Sequence, residues 1–551
     1  MRRLLFLGAL LLACGDPGPR DRSLLYRNDV QSPEARLLRG LKQRLRSGPA
    51  RGSSSVIGLV PDPLAHYFPE DPAVVVRFAD LAHLGRESAA PVVALRTLCP
   101  FLGISQGEPE NLVRRVARLS HDAILDPVRP FAFVETPAGW AAIVPARETT
   151  QTAGTLRQID AIYAVAGDPE VVAAYKPAFR KGFFLPGDVS LTVPPEAVPT
   201  LGSTLSLATK PLRMDLTALD GMGPLPADIE RVDLALKVRE GELRADLRLA
   251  PRRDSATAVY FDRLKPAPAD AVRWLPEGGT LYLESTRAPL ETEGLLQLLL
   301  EGRLSPRDPA AEPVAYSGRR LAHTLGEDAA CMLRLEPDGS GGVQLVANVG
   351  EDARDFFATP EAELLMNALA GPEGRLEYRP RAFDIEGIPV ATITGTISRR
   401  RLVAWQGSGD PFKATLSRLL WGPVVVYVAR VGPNLCVVVG QKARPDLETL
   451  VRAVTAGRPG DHPHVTAASA LFPHRVFGAS GNLAALVEGI REGMPYWHPA
   501  GRSLQAVSLK LPVEAVCAAT VEGGALRVAV RLPPEALAEA MAQVHAASAG
   551  R

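Results

Sequence analysis

Between Arg231 and Leu249 the chain reads Arg-Val-Asp-Leu-Ala-Leu-Lys-Val-Arg-Glu-Gly-Glu-Leu-Arg-Ala-Asp-Leu-Arg-Leu. Val232, Leu234, Leu236 and Val238 alternate with polar or small residues, Glu240-Gly241 turns the chain, and Leu243, Ala245, Leu247 and Leu249 alternate with Arg244, Asp246 and Arg248. Successive side chains of a strand point to opposite faces, so a period of two marks extended chain. A charged row opposite an apolar row predicts a half-buried antiparallel hairpin with its charges in water.

The pattern recurs. Phe131 to Val144 alternates around Pro137-Ala138-Gly139, and Val424 to Val439 around Gly432-Pro433-Asn434. Helical stretches follow the late hairpins, starting near Asp254 and near Pro534. Strands outnumber helices, and the helices fall between hairpins. That order implies an α+β fold of twisted antiparallel sheets with helices on one face, and argues against a doubly wound nucleotide fold.

Segments also recur in the same order along the chain. Phe68-Pro69-Glu70 precedes Val74-Val75-Val76, as Leu275-Pro276-Glu277 precedes Leu281-Tyr282-Leu283. Val189-Ser190-Leu191 is echoed by Val507-Ser508-Leu509, and the strand Gly241 to Leu249 by Gly524 to Leu532. Two tandem related units are expected, 56–264 and 274–551, joined by a linker over 265–273 that contains Lys265-Pro266-Ala267-Pro268; the second carries extra strands around Ala330 to Gly407.

With 551 residues, 46% hydrophobic and 22% charged, the chain is long enough for several cores and has a globular composition. A formal net charge of +1 and the lack of a basic, aromatic-interleaved stripe argue against nucleic-acid binding. At the N-terminus, Arg2 and Arg3 precede a short apolar run from Leu4 to Ala13. The run is too short to span a bilayer and has the form of a secretory signal.

The run ends in Leu11-Leu12-Ala13-Cys14, which resembles the lipobox of bacterial lipoproteins. The resemblance implies cleavage after residue 13, diacylglycerol on the Cys14 thiol and a body outside the cytoplasm. Gly15 rather than aspartate directly after the cysteine favours the outer membrane. Residues 14–55 then read as a lipidated tether. Within it Ser32-Pro33-Glu34 starts a helix with Leu37, Leu38, Leu41 and Leu45 on one face and Arg36, Arg39, Lys42, Arg44 and Arg46 on the rest. Such a basic amphipathic helix lies on anionic lipid or packs its leucines on the body. In general appearance the body resembles, diffusely, uncharacterised exported proteins of high-GC bacteria, a likeness that implies no activity.

Candidate chemistry is sparse. Gly103-Ile104-Ser105-Gln106-Gly107 fits the Gly-x-Ser-x-Gly pattern of serine hydrolases, but Pro100 interrupts the strand that should precede it, and Ser105 with Glu108 makes a capping box. Asp461-His462-Pro463-His464, with His474 and His498, is the densest histidine cluster; its spacing matches no ordinary zinc site, and a solvated loop is expected. After Cys14, the cysteines Cys99, Cys331, Cys436 and Cys517 read mostly as unpaired core thiols, although an even number permits disulfides. Gly339-Ser340-Gly341-Gly342 reads as a hairpin turn, and the five tryptophans, Trp140, Trp274, Trp405, Trp421 and Trp497, as packing residues.

No catalytic, cofactor or metal set is assigned. The expectation is a non-enzymatic, lipid-anchored envelope protein that binds or scaffolds another envelope component. Two alternatives are a carrier holding an apolar ligand between sheet and helices, and a hydrolase whose site residues are too dispersed in sequence to see.

Overall fold

The computed structural model describes residues 59–79, 124–147, 155–194, 228–286, 311–335, 341–349, 360–407, 417–485 and 514–533, apart from short gaps within them. The Cys14 lipobox, the tether and its basic helix, Ser105, Cys99, Trp497, His498, Val507-Ser508-Leu509 and the stretch after Pro534 lie outside the described residues.

In chain order the strands begin with β1 (Val60–Pro61), β2 (Val75–Phe78), β3 (Ile124–Leu125), β4 (Phe131–Thr136), β5 (Gly139–Val144) and β6 (Ala146–Arg147). Next come β7 (Leu156–Gln158), β8 (Ala164–Gly167), helix α1 (Pro169–Ala174), β9 (Phe183–Phe184), β10 (Val189–Val193), β11 (Ile229–Arg239), β12 (Glu242–Pro251) and α2 (Ala256–Arg263). Beyond these lie β13 (Leu281–Ser285), α3 (Ala311–Thr324), β14 (Leu325–Leu335), β15 (Gly341–Val349), α4 (Pro360–Ala370), β16 (Arg375–Ile385), β17 (Ile388–Thr396) and α5 (Arg399–Gly407). The last described elements are β18 (Pro423–Val431), β19 (Asn434–Gly440), α6 (Ala443–Thr455), α7 (Pro463–Leu471), β20 (Phe477–Asn482), β21 (Glu514–Glu522) and β22 (Ala525–Leu532). The architecture is sheet-rich α+β, and every strand pairing described is antiparallel.

The chain divides into two compact units. One holds the described residues up to Arg263 and those from Val521 onward; the other holds Leu264–Thr520. In the first, the main sheet runs β7-β8-β5-β4-β2-β10-β11-β12-β22. In the second it runs β21-β20-β13-β14-β15-β19-β18-β17-β16. β22, close to the C-terminus, joins the first unit by pairing with β12, Leu243 opposite Leu532 and Leu249 opposite Leu526.

Helices do not keep to one face, which corrects the sequence expectation. In the second unit Val438, Cys436 and Ala429 bury against Leu447, Leu450 and Val451 of α6 and Val465 of α7. The intervening residues Val437, Leu435 and Val428 pack on the opposite face, where Met366 of α4 joins them. Consecutive apolar residues, as in Val424-Val425-Val426-Tyr427-Val428, require cover on both sides, because alternate side chains leave in opposite directions.

The β11–β12 hairpin also departs from the sequence expectation. Its two strands pair as read, Val232 opposite Leu249 and Leu236 opposite Ala245. Yet Asp233, Asp246 and Arg248 are 0%, 2% and 0% exposed, so the charged row is interior rather than solvated. The charges are tolerated because they oppose one another across the strands: Asp233 lies directly across from Arg248.

Candidate functional site

Two clusters of buried charge stand out, one in each unit, and both begin on the strand entered from an X-Pro-Glu corner. Arg77 of β2 stands eight residues after Pro69, and Glu284 of β13 eight residues after Pro276. Each is flanked across the sheet by small residues. Arg77 lies between Ala132 and Ser190, and Glu284 between Ala330 and Gly478. That spacing makes room for a long charged side chain inside a sheet; a Cβ on Gly478 would overlap the Glu284 carboxylate.

In the second unit Glu284 is held from two sides. Arg475, just before β20, donates its Nε to Glu284 Oε1, and His464 Nε2 of α7 approaches Oε2 to 3.4 Å. The side chains of Glu284, His464 and Arg475 are each 1% exposed. Arg475 Nη1 also donates to Ser469 Oγ at 3.0 Å. On the far side of the imidazole, His464 Nδ1 bonds Ser480 Oγ of β20. Burial alone pushes the Glu284 carboxyl up, but the hydrogen bonds and charges of His464 and Arg475 outweigh it and hold Glu284 below the usual carboxylate range. Tyr282, two residues earlier on the same face, stacks on His464 with ring centroids 5.8 Å apart.

His462 and His464 therefore do not lie in a solvated loop. They are 5% and 3% exposed, and His462 is the N-cap of α7, its Nδ1 accepting from the His464 N–H at 3.2 Å. The signal for this was present: Pro463 is preorganised for the first helical position, and Val465, Ala468 and Leu471 follow at helical spacing. Burial, then the neighbouring His464, lowers the His462 pKa. His474 is exposed. Among the described residues no group of three or more His, Cys, Asp or Glu side chains is placed to hold a metal ion.

Serine, imidazole and carboxylate in this order are the components of a hydrolytic triad. The setting is unlike one. Ser480 lies inside a strand paired on both sides, opposite Tyr282 and Val516, rather than on a strained exposed turn. The imidazole and carboxylate are sealed, and the carboxylate is already neutralised by Arg475. None of Glu284, Arg475 and Ser480 is conspicuous in the sequence, because they come together from three distant segments. The usable clue was Glu284 inside the apolar run Leu281-Tyr282-Leu283, at the position Arg77 holds after its own corner.

Nearby, Asp328 Oδ2 accepts the N–H groups of Asp270 (3.0 Å) and Ala271 (2.8 Å), while its Oδ1 is buried without a hydrogen-bond partner. Burial pushes this carboxyl up to about 6, against the two backbone hydrogen bonds.

The cluster of the first unit is more distributed. Arg77 Nε donates to Asp62 and its Nη1 to Thr192 Oγ1 (3.1 Å), which in turn donates to Asp233 Oδ1 (3.0 Å). Arg231 (2.7 Å) and Arg248 (3.3 Å) complete the shell of Asp233. Burial lowers the pKa of Arg77 and of Arg248, opposed by Asp62 and by Asp233 respectively. A cavity of about 20 Å³ lies beside Asp62 and Arg77, lined also by Leu64, Phe78, Pro130 and Phe184, and has room for about one water.

Cys331, Cys436 and Cys517 are free thiols whose pKa burial raises to about 12. Gly341 and Gly342 open β15 directly after the hairpin connection from β14, with Leu335 opposite Gly341. Trp405 is buried at 9% exposure, and Trp421 is exposed beneath the Arg399 guanidinium.

No family model matches the chain, and no curated protein matches it. Two solved structures are similar in part. Crystal form III of TP0453 aligns with a TM-score of 0.24 and 9% identity, over 50% of this chain and 98% of that one. Crystal form I of TP0453 aligns with a TM-score of 0.21 and 11% identity, over 51% of this chain and 99% of that one. Likeness at this level carries no argument about fold or function.

Proposed function

We propose that the protein is an exported, lipid-anchored envelope protein, built from a duplicated sheet-and-helix unit, that binds or scaffolds another envelope component without catalysing a reaction. The lipobox resemblance at Leu11-Leu12-Ala13-Cys14 supports the address. Duplication is supported by strand order: β11-β10-β2-β4-β5-β8-β7 in the first unit has the connectivity of β21-β20-β13-β14-β15-β19-β18 in the second, with β16 and β17 inserted. In this alignment the counterpart of β10 is β20 rather than Val507-Ser508-Leu509.

The observation that carries the non-catalytic reading is where the polar chemistry sits. Among the described residues, Glu284, His464 and Arg475 in one unit and Asp62, Arg77, Asp233 and Arg248 in the other are buried and paired with one another, whereas large apolar side chains such as Tyr316 (54%), Val403 (52%) and Trp421 (46%) remain at the surface. Crosslinking in intact envelopes followed by mild solubilisation is expected to return one recurrent partner, lost from the membrane fraction together with this chain when Cys14→Ser removes the anchor. A partner absent from every crosslinked preparation, or a Cys14→Ser chain that fractionates with membranes as before, overturns the proposal.

The Ser480–His464–Glu284 convergence favours a second, hydrolytic reading. A fluorophosphonate probe is expected to leave Ser480 unmodified; labelling that disappears with His464→Ala reverses the choice.

A further inference from the structure

The loop that joins α1 to β9 in the first unit is built to hold an aromatic side chain outward. Phe179 is 56% exposed and has φ +52°, a left-handed conformation that a bulky residue avoids unless its surroundings impose it. The surroundings do so. The Phe179 N–H donates to His66 O at 3.1 Å, the Ala178 N–H to Phe68 O at 2.8 Å, and the Asp62 N–H to Gly182 O at 2.9 Å. A Cβ at Gly182 would lie 2.6 Å from that of Ala65, so the loop is seated against the turn Ala65–Tyr67 with no slack. The His66 ring supports the Phe179 ring edge-on at 4.7 Å. A sheltered core gains nothing from this, because the aromatic ring it positions faces water.

The same loop is basic. From Tyr175 to Gly187 the sequence contains Lys176, Arg180 and Lys181 and no acidic residue. Lys176 and Lys181 are exposed, and Phe183, 38% exposed, stands two residues after Lys181. Phe183 and Phe184 pair with Pro61 and Val60 of β1, and Val60 is itself 37% exposed. β1 is the first strand among the described residues. Exposed aromatics and exposed cations therefore lie within eight residues of one another on one loop, Lys176 to Phe183.

We propose that Lys176, Phe179, Lys181 and Phe183 of this loop form a membrane-docking face: Phe179 and Phe183 enter the headgroup–acyl boundary of a phospholipid bilayer while Lys176 and Lys181 pair with anionic headgroups. The position of the face relative to the membrane rests on the lipid-anchored reading; its affinity for anionic lipid does not. Apolar side chains at that boundary and cations beside it act together in peripheral proteins, each cation contributing about fivefold to partitioning near an anionic surface. A covalent lipid keeps the body close, so a weak face suffices to orient it.

The test uses the full chain with Cys14→Ser, which has no lipid, sedimented with vesicles of phosphatidylcholine alone or mixed with phosphatidylglycerol. Binding is expected only to the phosphatidylglycerol vesicles, and raised salt should weaken it. The double variant Lys176→Gln, Lys181→Gln should bind about 25-fold more weakly. Phe179→Gly should weaken binding by about tenfold or more. It should do so while leaving Tm unchanged or higher, because glycine accepts the left-handed backbone without strain. That pairing of lower binding with intact stability separates docking from folding damage. Equal binding to both vesicle types, no binding to either, or variants that bind as their parent does overturn the proposal; the last result would place any lipid affinity elsewhere, such as the arginine-rich segment 36–46. Fractionation of the Cys14→Ser chain in cells tests the anchor separately, so the two readings fail by different observations.

Discussion

The two buried charges that follow the X-Pro-Glu corners solve one problem in opposite ways. In the first unit the strand supplies a cation, Arg77, and the surroundings supply a chain of acceptors running through Asp62, Thr192 and Asp233, with Arg231 and Arg248 sharing the load. In the second unit the strand supplies an anion, Glu284, and one donor closes on it directly, Arg475, with the His464 imidazole 3.4 Å from its other oxygen. The position in the sheet and the small flanking residues are alike; the sign of the charge and the number of partners differ. A buried charge persists only if it is paired, and losing a partner costs more the fewer partners remain. The compact cluster should therefore be brittle and the distributed one tolerant.

The largest expected effect breaks the compact cluster. Arg475→Met leaves Glu284 buried against an imidazole alone and should destabilise the protein by about 3–5 kcal/mol in urea unfolding. Adding Glu284→Leu to it should recover most of the loss, because the desolvated charge is then gone. If the double variant is no better than the single one, the pair is not what holds these segments together.

Asp328 sharpens the comparison by pH. Its carboxyl titrates at about 6 in the folded protein against an ordinary 3.8, so the folded state binds this proton more tightly. The stability it contributes is present below pH 3.8 and is lost as pH rises through about 6. Asp328→Asn removes that loss, and should be more stable than the parent by up to about 3 kcal/mol near neutral pH and about equal at low pH. A parent stability that rises between those pH values, with the variant following it, contradicts the assignment.

Smaller effects follow. Gly478→Ala should cost about 1–3 kcal/mol, since its methyl group must displace a carboxylate pinned by Arg475. Arg248→Met in the first unit should cost about 1–3 kcal/mol, because Asp233 keeps Arg231 and Thr192. A loss as large as that of Arg475→Met would erase the distinction between the two clusters. The surface pair Arg381–Asp384 is the reference: Arg381→Ala should shift the unfolding midpoint by no measurable amount, as both side chains lie in water.

What the amino-acid order determined by itself is the local state of the backbone. Alternation from Val232 to Leu249, from Phe131 to Val144 and from Val424 to Val439 marked three hairpins, and the helix after Asp254 and the strands around Gly339-Ser340-Gly341-Gly342 could be read in the same way, although Gly341 and Gly342 belong to the second strand and not to the turn. Period and turn chemistry act over a few residues and are written in the chain. Only the tertiary structure decided what covers each face. The row of Asp233, Asp246 and Arg248 reads as solvated until Arg248 is seen to meet Asp233 inside the unit. Asp461-His462-Pro463-His464 likewise reads as a loop until α7 lays its first turn over Glu284. Arg475 and Glu284 are 191 residues apart, and no local pattern announces a contact at that separation. A charge is hydrated or buried according to its partners, and partners of this kind are brought together only when the sheet closes.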